Sequence, residues 1–345
     1  MAPQISLWLT EQGGSFSVGP TIIPSPGRGE ILVKIHSIGL NPDDWKLQEC
    51  GLWIERYPTI LGHEVAGTVE AVGEGVSHFV KGDRVFSATT AGTDNRKAAF
   101  QQYSIAPASL AVKLPANVSF DEAAGLSVGI ATATIPLYTQ PTIGLGYQSP
   151  WNGGRKKYKG QPIIVLGGSS CVGQYVIQFA RLSGFSPIIT TASPHNKTHL
   201  KSLGATYVID RNLPFSAIAR EISKLTAARI KLVFDAVSQD ETQQGGYDLL
   251  APGGRIIITL PSTIDEGYDD KQVIPVTGNF HIPENLALGT IVSQNLPALL
   301  ASGDIRPVAV EVVPGGLNGI GPGLKRLKHN LVSAKKLVVH PWETA

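Results

Sequence analysis

The spacing of apolar residues changes twice along this chain. In the first third, short β-branched runs stand between turn residues. Ile31-Leu32-Val33-Lys34-Ile35 follows Pro24, Pro26, Gly27 and Gly29, and such punctuation predicts strands. Gly62 to Gly73 places closely spaced glycines among β-branched residues, the pattern of bulged strands in a small barrel. Lys81-Gly82-Asp83-Arg84-Val85 reads as a turn feeding a further strand. From Ile163 the period alternates. Ile163-Ile164-Val165-Leu166 suits a buried parallel strand; a glycine turn, a helical stretch from Val172 to Leu182 and a second run at Ile188-Ile189 follow. Tyr207-Val208-Ile209, Leu232-Val233-Phe234 and Ile256-Ile257-Ile258 continue the series with helical stretches between them. Strand–helix alternation of this kind predicts a doubly wound parallel sheet. After Thr277 the pattern predicts a helix near Asn285 to Leu300, a β-rich run at Val308 to Val313 and a last strand at Lys336 to Val339. Gln140 to Gln161, rich in Gly, Pro and Lys, reads as a surface insertion.

A chain of 345 residues has room for two domains. Its 42% hydrophobic content is ordinary for a globular protein. Lys+Arg 29 against Asp+Glu 27 leaves a net charge of +2, which offers no general field for nucleic acid or an anionic membrane. Cys50 and Cys171 can build neither a disulfide framework nor a four-cysteine zinc site. Met1 to Gly14 lacks an apolar signal core, and no uncharged run approaches the roughly 18 residues of a membrane span. A soluble cytoplasmic protein is expected, compatible with a monomer or a homodimer.

Gly167-Gly168-Ser169-Ser170-Cys171-Val172-Gly173 lies between the first parallel strand and its helix. Small residues there let the backbone approach a pyrophosphate, which the helix N-terminus then attracts. A tight turn with no ligand is the alternative, and the strand–helix context favours the dinucleotide. The end of the next strand selects which one. An NAD site usually carries Asp or Glu about 20 residues on, to hold the ribose diol. Thr191-Ala192-Ser193-Pro194-His195-Asn196-Lys197 stands there instead. With no carboxylate to repel a 2′-phosphate, and with Ser193, His195 and Asn196 as donors, the expectation is NADPH; a solvated polar turn is the competing reading.

Gly62-His63-Glu64-Val65-Ala66-Gly67, the Gly82-Asp83-Arg84-Val85 turn, the glycine turn and the ending Ser333-Ala334-Lys335-Lys336-Leu337-Val338 resemble the medium-chain dehydrogenase/reductases over nearly the whole chain. Asn41-Pro42-Asp43-Asp44-Trp45-Lys46, Gly168-Ser169-Ser170 and Ser193-Pro194-His195-Asn196 resemble the fungal branch that includes trans-acting enoyl reductases of the lovastatin type. The resemblance implies an α/β protein with a GroES-like β-rich catalytic domain over 1–122 and 283–345 and a Rossmann doubly wound parallel sheet domain over 123–282. It also implies cofactor contacts from Asp44, Lys46, Gly168, Ser169, Ser170, Cys171, Val172, Tyr207, Val237, Leu260, Val332 and Ser333, beside Ser193, His195 and Asn196. Lys46 and Thr132 are its catalytic candidates, near the nicotinamide ribose and carboxamide. Each has a plainer alternative: Lys46 covering Trp45 with its stem, Thr132 bonding back within its helix, Tyr207 packing as an ordinary strand residue. Ser170 and Cys171 depart from the common quinone-reductase pattern and leave slightly less room at the pyrophosphate.

The alcohol dehydrogenases of that superfamily hold zinc with two cysteines and a histidine. His63 and Glu64 match the histidine-bearing motif, but neither Asn41-Pro42-Asp43-Asp44 nor Ser127-Val128-Gly129-Ile130 supplies a cysteine. No metal is expected, and His63 is read as a hydrogen-bonded packing residue. Without a Lewis acid the easier chemistry is hydride addition to the β-carbon of an α,β-unsaturated carbonyl or thioester, with protein donors steadying the resulting enolate. An NADPH-dependent enoyl or ene reductase of polyketide-type metabolism is the leading expectation; an NADPH quinone reductase and a non-catalytic NADPH-binding protein are the rivals. The expected partner is a small unsaturated carbonyl compound, free or bound to a carrier protein. The basic run Arg155-Lys156-Lys157-Tyr158-Lys159 is the candidate docking loop, or simply a solvated one.

Overall fold

The computed structural model describes residues 3–141, 143–265 and 270–345. The chain folds as two compact units, one of Met1–Val128, Phe280–Gly303 and Pro307–Ala345, the other of Gly129–Asn279 with Asp304–Arg306.

The first unit begins with strands β1 (Pro3–Leu9), β2 (Phe16–Ile22) and β3 (Glu30–Gly39), helix α1 (Pro42–Cys50), and strands β4 (Thr59–Ile60), β5 (Glu64–Val72), β6 (Arg84–Ala88), β7 (Tyr103–Pro107) and β8 (Val112–Lys113). The short helix α2 (Phe120–Ala123) follows, and then helix α3 (Ser127–Tyr138), which from Gly129 onward belongs to the second unit. The sequence reading of this third as strands and turns omitted α1, although the helix carries a start signal: Asn41 stands outside it and Pro42 is its first residue. The second unit alternates as far as its last two strands: β9 (Ile163–Leu166), α4 (Cys171–Ser183), β10 (Ile188–Ala192), α5 (Lys197–Leu203), β11 (Tyr207–Asp210), α6 (Phe215–Leu225), β12 (Leu232–Asp235), α7 (Asp240–Asp248), β13 (Arg255–Ile258) and β14 (Gln272–Pro275). The chain closes with α8 (Pro283–Ala301), β15 (Ala309–Val312), α9 (Ile320–Lys328) and β16 (Lys335–Val339).

In the first unit a seven-stranded sheet runs β15-β16-β3-β5-β6-β8, with β7 also on β3, and a three-stranded sheet runs β2-β1-β4. The register of β3 on β5 slips twice, at Leu32/Val33 and Ile35/Ser37; such bulges bend strands toward closure. One core packs Leu7, Ile35, Ile38, Leu61 and Phe100 with Leu324 and Leu337 from the far end of the chain. The pairing of β16 with β3, Val338 opposite Gly39, fixes that late strand in the early sheet.

The second unit is a six-stranded parallel sheet of order β11-β10-β9-β12-β13-β14, the doubly wound arrangement in which the connection reverses beside the first strand. Every residue of β9 is buried, as a central parallel strand requires. The 140–161 segment, expected as a surface insertion, is largely exposed or half-buried among its described residues, and its aromatic side chains anchor it on the unit. The Trp151 ring lies 5.4 Å from Tyr138 and 6.2 Å from Phe179, and Tyr158 stacks on Phe185 at 5.1 Å. Gly and Pro content signalled a loop, and the buried aromatic area holds that loop against the unit. Within the basic run, Arg155 pairs with Asp304 and Lys157 donates to Gln148. Among the described residues no helix is long and apolar enough to cross a membrane.

Candidate active site

In the second unit, the end of β9 delivers the glycine turn to α4. Gly167 takes a left-handed φ of 78° and accepts the Ser170 N–H through its carbonyl. Ser170 caps the helix, its Oγ accepting the Gly173 N–H at 2.9 Å. A Cβ at residue 168 would collide with Thr190 Oγ1, and one at 173 would collide with the Gly167 carbonyl oxygen. No side chain fits at either place, so Ser169, Ser170, Cys171 and Val172 follow a backbone pressed close to its neighbours. The result is a backbone surface opening a 13-residue helix, at the positive end of its dipole. Val237, just beyond β12, packs on the turn: its Cγ2 occupies the place a Gly167 side chain would take. The β12–α7 turn is fixed by Asp235, fully buried, whose Oδ1 accepts the N–H groups of Val237 and Ser238, both at 2.9 Å. Burial holds the Asp235 carboxyl above the usual carboxylate range, against those N–H groups.

Ser193 follows β10 directly, and His195 and Asn196 lie in the single turn before α5. Tyr207 opens the edge strand β11 opposite Ile189 and is 38% exposed. Leu260 follows β13 as Val237 follows β12. Thr132 is buried in α3, with Gly278 lying so close that a Cβ there would strike its hydroxyl. The second unit thus gathers the glycine turn, Val237 and the end of β10 at the carboxyl ends of parallel strands.

The first unit gathers a different set. Asn41, ahead of α1, accepts from Lys336 Nζ through Oδ1 at 2.6 Å and donates Nδ2–H to Glu64 Oε1 at 2.9 Å. Lys336, on β16, also pairs with Glu64 directly, and both side chains are buried. The other Glu64 oxygen accepts the N–H of Val128 at 3.0 Å. Asp44 closes the start of α1 from within the helix, its Oδ2 accepting the Asn41 N–H at 2.8 Å. Asp44 Oδ1 lies 2.9 Å from His63 Nδ1, and Asp43 Oδ2 lies 3.5 Å from the same nitrogen.

These contacts decide the charges. For His63, burial works against the imidazolium, but Asp43, Asp44 and Glu64 outweigh it and hold the ring's pKa up at about 9. Burial raises Asp44 to about 6 against the lowering bond from His63. Near neutral pH the two form an ion pair. His281, near the start of α8, is pushed the other way, to about 4: its burial dominates, with Lys97 and His63 adding to the effect. Lys46 is half-buried with its Nζ 5.6 Å over the Trp45 ring, and burial lowers its pKa. Val332 packs at the margin of the core, beside Ser333 in the turn before β16.

Asp44, expected at the cofactor, has no exposed surface and both oxygens engaged. His63, read as a hydrogen-bonded packing residue, is bonded to the Asp44 carboxylate, and Lys336, read as part of the last strand and of the ending that carries the resemblance, pairs with Glu64. The pair His63-Glu64 beside the helix-start signal Asn41-Pro42-Asp43-Asp44 was the sequence signal for this cluster; nothing local announced Lys336, 272 positions beyond Glu64. Among the described residues, Asp43, Asp44 and His63 are the acidic and imidazole groups whose ligand atoms lie within 4.8 Å of one another. Cys50 is exposed at the end of α1, and Cys171 starts α4.

Comparison with known proteins gives these two units their relatives. Residues 27–116 match the family model described as alcohol dehydrogenase GroES-like domain, and residues 171–263 match that described as zinc-binding dehydrogenase. The chain is 30% identical to trans-enoyl reductase grgB of a Penicillium species, covering 95% of each. It is 32% identical to trans-enoyl reductase himH of Aspergillus japonicus, over 94% of this chain and 93% of the relative. The fold is similar to that of mycobacterial Rv1454c, solved as a complex with NADPH, at a TM-score of 0.78 and 24% identity, over 98% of this chain and 100% of that one. With a β-rich first unit, a parallel-sheet second unit and relatives aligned along almost their full lengths, the chain belongs to the medium-chain dehydrogenase/reductase family of oxidoreductases.

Proposed function

We propose that this chain is an NADPH-dependent enoyl reductase that works without a metal ion, reducing the double bond of an α,β-unsaturated thioester or carbonyl compound. The observation that carries the reading is the donor set around His63. Asp44 has both oxygens engaged, Glu64 is neutralised by Lys336, and the Nδ1 of His63 is turned to Asp44. That set favours an imidazolium and does not fit zinc, which binds neutral imidazole, thiolate and free carboxylate. The names of the relatives grgB and himH support the enoyl substrate.

The residues of the second unit fit a dinucleotide. The turn that excludes side chains at 168 and 173 leaves room for a pyrophosphate against the backbone, where the start of α4 and its dipole would hold it. Ser193, His195 and Asn196 would receive a 2′-phosphate, since no carboxylate stands at the end of β10. Bound there, the reduced nicotinamide supplies a hydride. Thr132, in the same unit, would orient the nicotinamide end, with Lys46 a candidate on the family resemblance alone, and N–H donors rather than a Lewis acid would take up the charge that grows on the carbonyl oxygen. The test is steady-state oxidation of NADPH with crotonyl-N-acetylcysteamine, with a para-quinone and with neither. Turnover of the thioester supports the reading. Turnover of the quinone alone gives a quinone reductase, and tight NADPH binding with no turnover gives a binding protein.

A further inference from the structure

We propose that Arg211 supplies the positive charge of the cofactor site, holding the 2′-phosphate of NADPH and setting the preference over NADH. This deepens the NADPH reading and rests on it. Every residue the argument uses lies within the second unit. In open parallel sheets the pyrophosphate lies at the turn after the first strand, and the adenosine ribose reaches the end of the next one. Here those strands are β9 and β10, and two bonds tie the end of β10 to the glycine turn. The Gly168 N–H donates to the Thr191 carbonyl at 2.9 Å, and the Gly167 N–H to Thr191 Oγ1 at 3.0 Å. Ser193 is the first residue beyond β10. Its hydroxyl offers a phosphate a hydrogen bond but no charge.

Strand register brings a cation to that place. β11 lies parallel to β10, with Tyr207 opposite Ile189 and Asp210 opposite Ala192. Arg211 comes next, and its N–H donates to the Ala192 carbonyl at 3.1 Å. Continued by one residue, the register sets Arg211 beside Ser193, about 4.8 Å across the sheet. That is a short span for an arginine side chain. The single turn of Pro194–Asn196 packs against β11 as well. Tyr207 stands at the opposite end of β11: three steps of about 3.3 Å separate it from the carboxyl edge, and ligands of such sheets bind at that edge.

The Arg211 side chain is uncommitted. It is exposed, and among the described residues it forms no ion pair. Its neighbour Asp210 turns to Asn212, with Oδ1 accepting the N–H and the Nδ2–H of that residue, both at 3.0 Å. Other cations nearby are engaged or offset. Arg181 donates to the carbonyls of Leu203 and Asp304, and Arg306 to that of Ser202. Lys197 and Lys201 border a groove along β11 that Asp210 and Glu221 also line. A guanidinium adds geometry to charge, since two parallel N–H groups match two phosphate oxygens.

The test titrates NADPH, NADH and 2′,5′-ADP into wild type, Arg211→Gln and Lys197→Gln by calorimetry without substrate, with the thermal midpoint as the check of folding. Wild type is expected to bind NADPH more tightly than NADH. Arg211→Gln should weaken NADPH and 2′,5′-ADP by about 10- to 100-fold, as loss of a charge-assisted bond does, and leave NADH within about twofold. Because both partners are exposed to solvent ions, the wild-type advantage of NADPH should narrow as salt is raised. Lys197→Gln should keep the wild-type preference. An Arg211→Gln protein with unchanged preference, or one that loses NADPH and NADH equally, overturns the assignment, as does a preference lost in Lys197→Gln alone. A wild type that binds NADH as tightly as NADPH overturns the NADPH reading itself, and with it this one.

Discussion

The glycine turn after β9 and the charges around Glu64 both equip this protein for chemistry, by opposite means. The turn works through absence: its contacts are uncharged, its residues contiguous, and side chains at 168 and 173 are excluded by Thr190 and by Gly167. The charge cluster works through assembly: Asn41, Asp44, His63, Glu64 and Lys336 come from α1, the entry to β5 and the last strand. The first should fail by steric collision, indifferent to pH. The second should fail by leaving charges unpaired, and its contribution should follow titration.

The largest expected effect comes from breaking the assembly. Lys336→Met leaves Glu64 buried without its cation, and removing one partner of a buried pair costs about 3–5 kcal/mol. Chemical denaturation should show a loss of that order; a loss below about 1 kcal/mol would mean that Glu64 is reached by solvent or protonated.

A second effect separates the two regions by pH. The folded pKa of His63, about 9, lies above its ordinary 6.5, so folding favours the charged form. The stabilisation is fully present below about 6.5 and lost as pH rises through 9, a total of about 3 kcal/mol. Asp44, raised from 3.8 to about 6, has the same sign but a lower window: folding favours its neutral form, and that contribution is gone above about 6. Between pH 6.5 and 9.5 the decline belongs to His63 together with His340, whose pKa is also raised because Glu343 and Asp121 outweigh its burial. Denaturation at those two values should show a larger decline in wild type than in His63→Gln. An identical slope in both would contradict the ion pair.

Gly168→Ala tests the turn. Overpacking against the buried Thr190 should cost about 1–3 kcal/mol, equally at both pH values, and should weaken NADPH binding. A pH-dependent cost would place charge where the structure shows uncharged contacts.

The smallest effect concerns cofactor choice. Ser193→Asp puts a carboxylate at the end of β10, where it should oppose a 2′-phosphate and shift preference toward NADH by about tenfold, or 1.4 kcal/mol. Unchanged preference would move the phosphate site elsewhere.

The same contrast explains what could be read in advance. β9, the turn and α4 form one contiguous stretch in which the apolar run, the small residues and the helical period fall in order, and the structure places them at Ile163–Leu166 and Cys171–Ser183. The helix α1 was signalled by Asn41-Pro42 and its two aspartates yet hidden by a polar, nearly non-periodic sequence in which only Asp44 and Leu47 are buried. In the 140–161 segment composition announced a surface loop, because it reports backbone freedom, and was silent on where Trp151 and Tyr158 pack. His63 was visible as a residue and illegible as a charge, since its state depends on carboxylates 19 and 20 positions earlier and on a strand at the far end of the chain.

One measurement bears most directly on the central proposal of a metal-free, NADPH-driven reduction. Protein dialysed against a strong chelator and confirmed free of zinc would be assayed for reduction of crotonyl-N-acetylcysteamine with NADPH and with NADH. The account predicts full turnover, clear preference for NADPH and no gain when zinc is returned. Activity lost on chelation and restored by zinc, or a preference for NADH, would contradict it.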